Sequence, residues 1–437
     1  MTRAALRAPL LCAALLGGVP DAAVRTRGEG ATRAETVVLA NGLRVIVATA
    51  PEARDVALTL LHTRAGPGAA WPVPDAAAAT EELLRQAIAN ARTSGGVPDV
   101  DPGTLFHSLR NGGYVTFRAR VHRRRWAPLL WHHAWALRHF EASREALATW
   151  AATHEPAAVT AEEVERFFHA RYGPSSCALV VVGPLTMADV LPYAARLLEP
   201  WSGEGRLDLP SAAPAPPSRP APAEGRLRLL EATAREEVRV RWELTLHARG
   251  AREEAVVRVL YAALGGQGAS SFKRVLRRDR GDLYDFDERA LTHDGEAWTL
   301  RFGADFPADR VAPSLRAMRD VLDALSSRGL PQEDLDVGRG LCDAGWRRDV
   351  DSVEGLADAI AANVAAGWSP PDAPPPWLAV LASLRREEVD AFVRRERAAE
   401  RARVSLDGDP SAFRGGALDE AGFGPLRVTP AVEHDAR

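Results

Sequence analysis

Apolar residues along this chain follow two rhythms, and the switches between them mark out the elements. Thr36-Val-Val-Leu-Ala and Leu43-Arg-Val-Ile-Val-Ala read as strands on either side of Asn41-Gly42. Asn-Gly supplies the positive φ angles of a type I′ turn, so the pair predicts a tight hairpin. Residues 55–62 continue as a mostly apolar strand. Gly66, Pro67, Gly68 and Pro72 then break the chain before an Ala-rich helix over 75–92, which opens with Asp75-Ala-Ala-Ala-Ala-Thr-Glu-Glu-Leu-Leu. A short helix is expected over 103–110, a strand over 114–121 and a Trp- and His-rich helix over 124–140. Thr160-Ala-Glu-Glu is a capping box, in which hydroxyl and carboxylate satisfy the free amides of a helix start. Val164, Phe167, Phe168 and Tyr172 share one face of the helix it opens, which Gly173-Pro174 ends. Residues 177–183 form a buried strand, and Thr186 opens a further helix carrying Pro192.

A run of prolines from Pro210 to Pro222 separates two halves. Beyond it the order repeats: strands at 227–230 and 237–246, a helix at 251–264, strands near 284–291 and 297–303. A helix carrying Val311, Leu315, Met318, Val321, Leu322 and Leu325 stops at Gly329. Helices over 332–346, 353–366 and 386–398 and a strand over 402–406 complete the half, with a second rigid connector at Pro370-Pro371 and Pro374 to Pro376. The pattern predicts a tandem of two α/β units. The expected bounds are a lead-in at 24–35, a first domain at 36–208, a linker at 209–223, a second domain at 224–425 and a flexible tail at 426–437.

Composition narrows the picture without changing it. With 437 residues, 46% of them hydrophobic, the chain can bury a large core. A net charge of -3 calls for neither nucleic acid nor an anionic membrane. Lys273 is the only lysine among 55 cationic residues. Residues 1–23 have a basic start and a short apolar core, the shape of a secretory signal and too short to span a bilayer. The expected location is therefore periplasmic or extracellular, with no transmembrane segment in the mature chain; the cytoplasm is the alternative if the start is only an Ala-rich lead. Leu11 before Cys12 argues against a lipoprotein. After cleavage only Cys177 and Cys342 remain, enough for one disulfide and too few for a Cys-based metal site.

Three segments, in order and spacing, resemble the insulinase/pitrilysin-type zinc peptidases, the inverzincin group. They are Leu39-Ala-Asn-Gly-Leu-Arg-Val-Ile-Val, the helix–turn–strand from Val159 to Gly183 with its Arg-Tyr-Gly-Pro-Ser-Ser-Cys core, and Leu264-Gly-Gly-Gln-Gly-Ala-Ser-Ser-Phe-Lys-Arg onward to Tyr284. The resemblance implies an α+β fold of two homologous two-layer units, each a mostly antiparallel sheet with helices packed on one face, that close, within one chain or between subunits, around a peptide-binding chamber.

The catalytic signature of that family is H-x-x-E-H on a helix, two zinc-binding His one turn apart with a Glu as general base. Aligned on the helix, its positions here are Ala78, Glu81 and Glu82. An alanine coordinates nothing, and adjacent carboxylates do not make such a site. Glu145 and Glu155 are the candidates for the family's distant third ligand, and the run from Leu109 to Phe117 is shortened. His132, His133 and His139 are the only local His cluster; seven residues of helix rise separate His132 from His139 by about 10 Å, too far for one ion. The resemblance also implies a peptide-binding Arg and Tyr in the second half. Tyr284 is kept; the Arg position aligns with Ser271, leaving Arg274 or Arg277 to compensate. Leu264-Gly-Gly-Gln-Gly lacks the Lys-Ser/Thr end of a phosphate loop, which discards nucleotide binding. The expectation is a pseudopeptidase without zinc that binds peptide or regulates, partnered by an active insulinase-type peptidase subunit or by a second copy of itself. The alternatives are an autonomous structural or peptide-binding protein and a working metallopeptidase with unrecognised ligands.

Overall fold

A computed structural model describes residues 25–27, 34–63, 75–90, 107–111, 114–151, 159–202, 227–231, 237–266, 270–294, 296–367, 371–409, 418, 421–423 and 426–429. The expected signal segment at 1–23 and the expected linker at 209–223 lie outside them. In the first half the elements are β1 (Arg25–Arg27), β2 (Ala34–Val38), β3 (Arg44–Thr49), β4 (Asp55–His62), α1 (Ala76–Asn90), β5 (His107–Asn111), β6 (Tyr114–His122), α2 (Trp126–Arg138), α3 (Arg144–Ala151), α4 (Ala161–Arg171), β7 (Cys177–Gly183) and α5 (Met187–Leu198). The second half has β8 (Leu227–Glu231), β9 (Glu237–His247), α6 (Gly250–Gly265), α7 (Ser271–Lys273) running into a π-helical turn (Arg274–Asp279), β10 (Glu288–Asp294), β11 (Ala297–Pro307), α8 (Ala308–Arg328), α9 (Gln332–Val350), α10 (Val353–Ala365), α11 (Pro376–Leu381), α12 (Arg386–Glu396), α13 (Ala398–Arg401), β12 (Ala402–Gly408) and β13 (Leu426–Thr429).

The repeat read from the sequence is present strand by strand. The first sheet runs β1-β2-β3-β7-β4-β6-β5 and the second β10-β11-β9-β12-β8-β13. Five strands of each therefore follow one order, β3-β7-β4-β6-β5 beside β8-β12-β9-β11-β10. In both, the first pair is parallel and the next antiparallel.

Each sheet packs helices against one face, as expected, and the first sheet adds a second layer. Val45, Val47, Leu58, Leu60, Leu179 and Val181 face α1, α2, α4 and α5 in the first core. The alternate residues Ile46, Ala57, Leu61, Val180 and Val182 meet Ala357, Ile360, Ala361 and Val364 of α10, which comes from the second half. This explains why β4 is mostly apolar and β7 apolar along its length, since a strand covered on both faces has no polar side. By contrast, β9 alternates buried residues with partly exposed ones. Its outward residues Arg239, Arg241 and Glu243 pair with Asp287, Glu288 and Arg301, a face suited to water. Between α2 and α4 the first half has only residues 139–160, where the second has residues 329–385 between α8 and α12; the first half is too short there for a counterpart of α10.

Polar contacts lock α10 in place. Arg118 of β6 pairs with Asp358, and Arg120 Nη1 lies 2.9 Å from Glu354. Burial pushes the Asp358 carboxyl upward against the pull of Arg118. The return strand of chain is tied as well: Asn363 Nδ2 donates to the carbonyls of Pro371 and Ala373, and the Ala34 amide donates to Asp372 Oδ2 at 3.2 Å.

Several local expectations change. Only Gly42 of the Asn-Gly pair has a positive φ, +88°, so the turn is not type I′. Gly42 N–H donates to Leu39 O, the geometry of a turn closed by a glycine bulge. Asn41 is spent elsewhere: its Nδ2 donates to Leu198 O at 2.8 Å and to Trp201 O at 3.2 Å, tying the hairpin to the end of α5. Residues 107–110, expected in a helix, form β5, an edge strand antiparallel to β6; cross-strand pairing with β6 overrides local helix propensity. The lead-in and the tail both contribute strands, with Arg25–Arg27 antiparallel to β2 and Leu426–Thr429 parallel to β8. The strand expected from 284 begins at Glu288, leaving Tyr284 before it. Both retained cysteines are free, Cys177 in β7 and Cys342 in α9. The capping box at Thr160 forms as read, with Thr160 Oγ1 accepting from Glu163 N at 3.2 Å and Glu163 Oε2 from Thr160 N at 2.9 Å.

Ile360 is completely buried in the contact between halves. Ile360→Ala should lower unfolding stability by about 2–4 kcal/mol through lost transfer energy and a residual cavity. Urea titration would show this as a lower midpoint at unchanged slope.

Candidate functional site

The helix α1 is where the sequence places a metal centre, and its apolar face packs on the first core. Ala76, Ala77, Ala79, Leu83, Leu84 and Ile88 are buried against the first core. Thr80, also buried, donates its hydroxyl back to Ala76 O at 2.6 Å. The face one turn apart that would carry two histidines holds Ala78, half-buried against that core, and Glu82. Glu82 is engaged along the helix surface: Arg85 Nε donates to its Oε2 at 2.8 Å and Gln86 Nε2 to its Oε1 at 2.9 Å. The hydrogen bond to Glu82 raises the Arg85 guanidinium pKa further. Glu81 points inward and is 7% exposed. Zinc takes at least three protein donors in a catalytic site. Ala78 offers none, Glu82 is engaged by Arg85 and Gln86, and among the described residues no three His, Cys, Asp or Glu side chains converge on a point that could hold an ion. These residues do not fit zinc. Glu145 is exposed on α3, with its backbone carbonyl accepting from Thr149, and Glu155 lies outside the described residues.

Two of the three clustered histidines are buried in the first core. His132 and His133 are 1% and 0% exposed. His132 Nδ1 lies 3.3 Å from Ile88 O, joining α2 to the last turn of α1, and His133 Nδ1 lies 3.0 Å from Leu129 O. Only His139 reaches the surface, stacked on Trp135 at 5.1 Å. Sequence reading missed the most unusual of these side chains, His62 at the end of β4. It is fully buried among the rings of Tyr172, Phe117 and Trp201, at centroid distances of 4.6, 5.8 and 6.1 Å. Neither ring nitrogen has a hydrogen-bond partner among the described residues. Burial first, then the neighbouring His133, lowers its pKa to about 3. Burial likewise lowers His133 to about 4, against the carbonyl of Leu129, which favours the charged form. A single histidine ending an apolar strand gives no local signal of this; only the rings that fold over it decide its environment.

In the second half, the three residues expected to bind peptide separate into two places. Arg274 turns inward, where its Nη2 donates to Asp334 Oδ2 at 2.9 Å and to Ser271 Oγ at 3.2 Å. Ser271 Oγ in turn donates to Asp334 Oδ2 at 3.1 Å. This network borders a cavity of about 480 Å³ between α8 and α9. Arg277 and Tyr284 pair on the surface, the guanidinium carbon 4.3 Å from the ring centroid. Tyr284 is 77% exposed, so it is not a core-packing strand residue.

Comparison with known proteins bears on this arrangement. Residues 158–340, from the start of α4 into α9, match the family described as Peptidase M16 inactive domain. Over that stretch the chain resembles the M16, insulinase-type family. No curated protein matches it. Among solved structures, a peptidase M16 inactive domain from Pseudomonas fluorescens is similar at TM-score 0.64 and 16% identity, covering 86% of this chain and 98% of its own. A protease from Helicobacter pylori has TM-score 0.64 and 12% identity over 86% and 99% of the two chains. The first half of the periplasmic protease PqqL from Escherichia coli has TM-score 0.59 and 12% identity over 93% and 100%. At these identities the structures speak for the fold. The chain lacks the H-x-x-E-H motif of the M16 zinc peptidases, with Ala78, Glu81 and Glu82 at the aligned positions.

Two measurements follow. EDTA should leave the melting temperature of the purified chain unchanged, because packing and not an ion holds α1; a clear drop would reveal metal linkage. Acid should destabilise it. Below pH 6.5 the unfolded chain takes up protons on His62 and His133 that the folded chain refuses until about pH 3 and 4. Stability should therefore fall as pH drops through that window, by up to about 1.4 kcal/mol per pH unit for each ring. His62→Leu should make the fall shallower and stabilise the protein at pH 7 by about 1 kcal/mol, since it removes a buried group without partners. Urea midpoints at pH 7, 6 and 5 test both.

Proposed function

We propose that this non-catalytic M16-like protein binds peptide segments in the service of an active zinc peptidase of the same fold. The observation that carries the reading is a contrast between two sites. The helix that would hold the metal has neither the donors nor the freedom to do so, while the second half keeps an outward-facing Tyr284 with Arg277 stacked on it. A planar guanidinium over a phenol ring offers charge-assisted donors to a peptide carbonyl or carboxylate, and tyrosine and arginine are the side chains over-represented where binding energy concentrates. A subunit that lost its own chemistry and kept a peptide-facing surface suits a heterodimer in which the partner cleaves. Export to the periplasm or outside the cell, read from the basic and apolar start of the sequence, belongs to the same proposal.

The test is co-expression with a related chain carrying an intact H-x-x-E-H motif, followed by sizing, a peptidase assay and peptide-binding titrations. A stable complex is expected, with activity that depends on the partner's motif. Tyr284→Ala and Arg277→Gln should each weaken peptide binding about tenfold, the loss of one well-placed contact, and leave the melting temperature unchanged. Stoichiometric zinc in this chain alone, with peptidase activity abolished by Glu81→Gln, would overturn the non-catalytic reading.

A further inference from the structure

Tyr284 is the most exposed of the large hydrophobic side chains among the described residues, yet the residues on either side of it are anchored. The Asp282 side chain is fully buried, accepting from Arg280 Nε at 2.6 Å and from Ser314 Oγ at 2.8 Å, with Arg310 Nη1 3.4 Å away. The backbone amide of Asp282 donates to Leu276 O at 2.8 Å. Leu283 packs on the second core. Phe286 is 3% exposed and its ring lies 5.5 Å from that of Phe302. Between them Asp285 Oδ1 gathers three donors: Lys273 Nζ at 2.6 Å, the Phe286 amide at 2.8 Å and Arg289 Nη1 at 3.2 Å. A rigid aromatic held out into solvent loses little entropy when it binds.

Lys273 is the unusual member of this set. It is the only lysine among 55 cationic residues and it is 7% exposed. The chemical difference explains why an arginine does not serve. An ammonium is a compact point charge on an unbranched stem, whereas a guanidinium is a planar fork that spreads its donors over a wider face. At a buried position sharing one carboxylate oxygen with a backbone amide and Arg289, the fork would displace one of the other two donors.

We propose that Lys273 is the positioning residue of the Tyr284 surface: its buried ammonium fixes Asp285, and through the adjoining backbone the outward placement of Tyr284 beneath Arg277. This rests on the reading that Tyr284 binds peptide, so the experiment separates the two. In the full chain, amide hydrogen exchange of residues 282–287 reports the clamp without any peptide, and titration with the peptide bound most tightly by the wild type reports its consequence. Lys273→Met and Asp285→Asn should each speed exchange at the Phe286 amide and weaken binding, both about tenfold. The double variant should do no worse than either single one. Lys273→Arg should restore the charge without restoring protection or affinity. Asp285 is partly exposed, so Asp285→Asn keeps the test open if Lys273→Met fails to fold. Unchanged exchange in Asp285→Asn overturns the proposal, and so does faster exchange with undiminished binding. Tyr284→Ala should lose binding while keeping wild-type exchange. If it binds normally, the peptide-binding reading fails and takes the positioning role with it, while the exchange data still show whether Lys273 holds the segment.

Discussion

The contact between α10 and the far face of the first sheet is the constraint on which the rest of the architecture depends. Four apolar side chains of the helix cover a layer of strand residues that would otherwise face water. Burying a side chain of the size of Ile360 or Val364 contributes about 1.5–3 kcal/mol, a large share of what separates folded from unfolded protein. Because the helix belongs to the second half and the sheet to the first, the first half does not cover its sheet alone. The ion pairs of Arg118 and Arg120 with Asp358 and Glu354 set the register of the helix on the strands more than its energy, being partly exposed.

The exchange of cover is one-sided. The first half has too little chain between α2 and α4 to return a helix, and the second sheet's outer face is made of paired charges instead. The shortened stretch is also where the family's third ligand was sought. Loss of metal donors and loss of covering structure thus fall in the same half, whose α1 has become a packing element. Its neighbourhood kept buried polar groups without a catalytic use for them. His62 and His133 stay neutral at a cost that grows with acidity, which ties stability to pH in a place where a metal would otherwise dominate the electrostatics.

In the second half the opposite holds. Asp282 and Lys273 spend buried charge, and Asp285 a partly exposed one, on the backbone around one exposed ring. Buried ion pairs are weak sources of net stability and good devices for fixing a single geometry. Their concentration beside Tyr284, with Arg274 withdrawn to Asp334, divides the expected trio into a surface pair and an internal support.

The sequence by itself determined the repeat, the helix cap at Thr160, the buried strands and the absence of histidine from α1, because these are local facts of period, side-chain type and spacing. The apolar runs of 55–62 and 177–183 were legible as buried strands, but helices were expected on one face only; the second layer, from residues 353–365, was not legible. Only the tertiary structure decided that, along with the strand at 107–111, the conformation of Asn41-Gly42, the orphaned ring of His62 and the clamp at Lys273. Each depends on groups distant in the chain: a partner strand, the carbonyls at the end of α5, three aromatic rings, a carboxylate on another element. Pattern along the chain specifies what a residue can do. Which neighbours fold against it decides what it does.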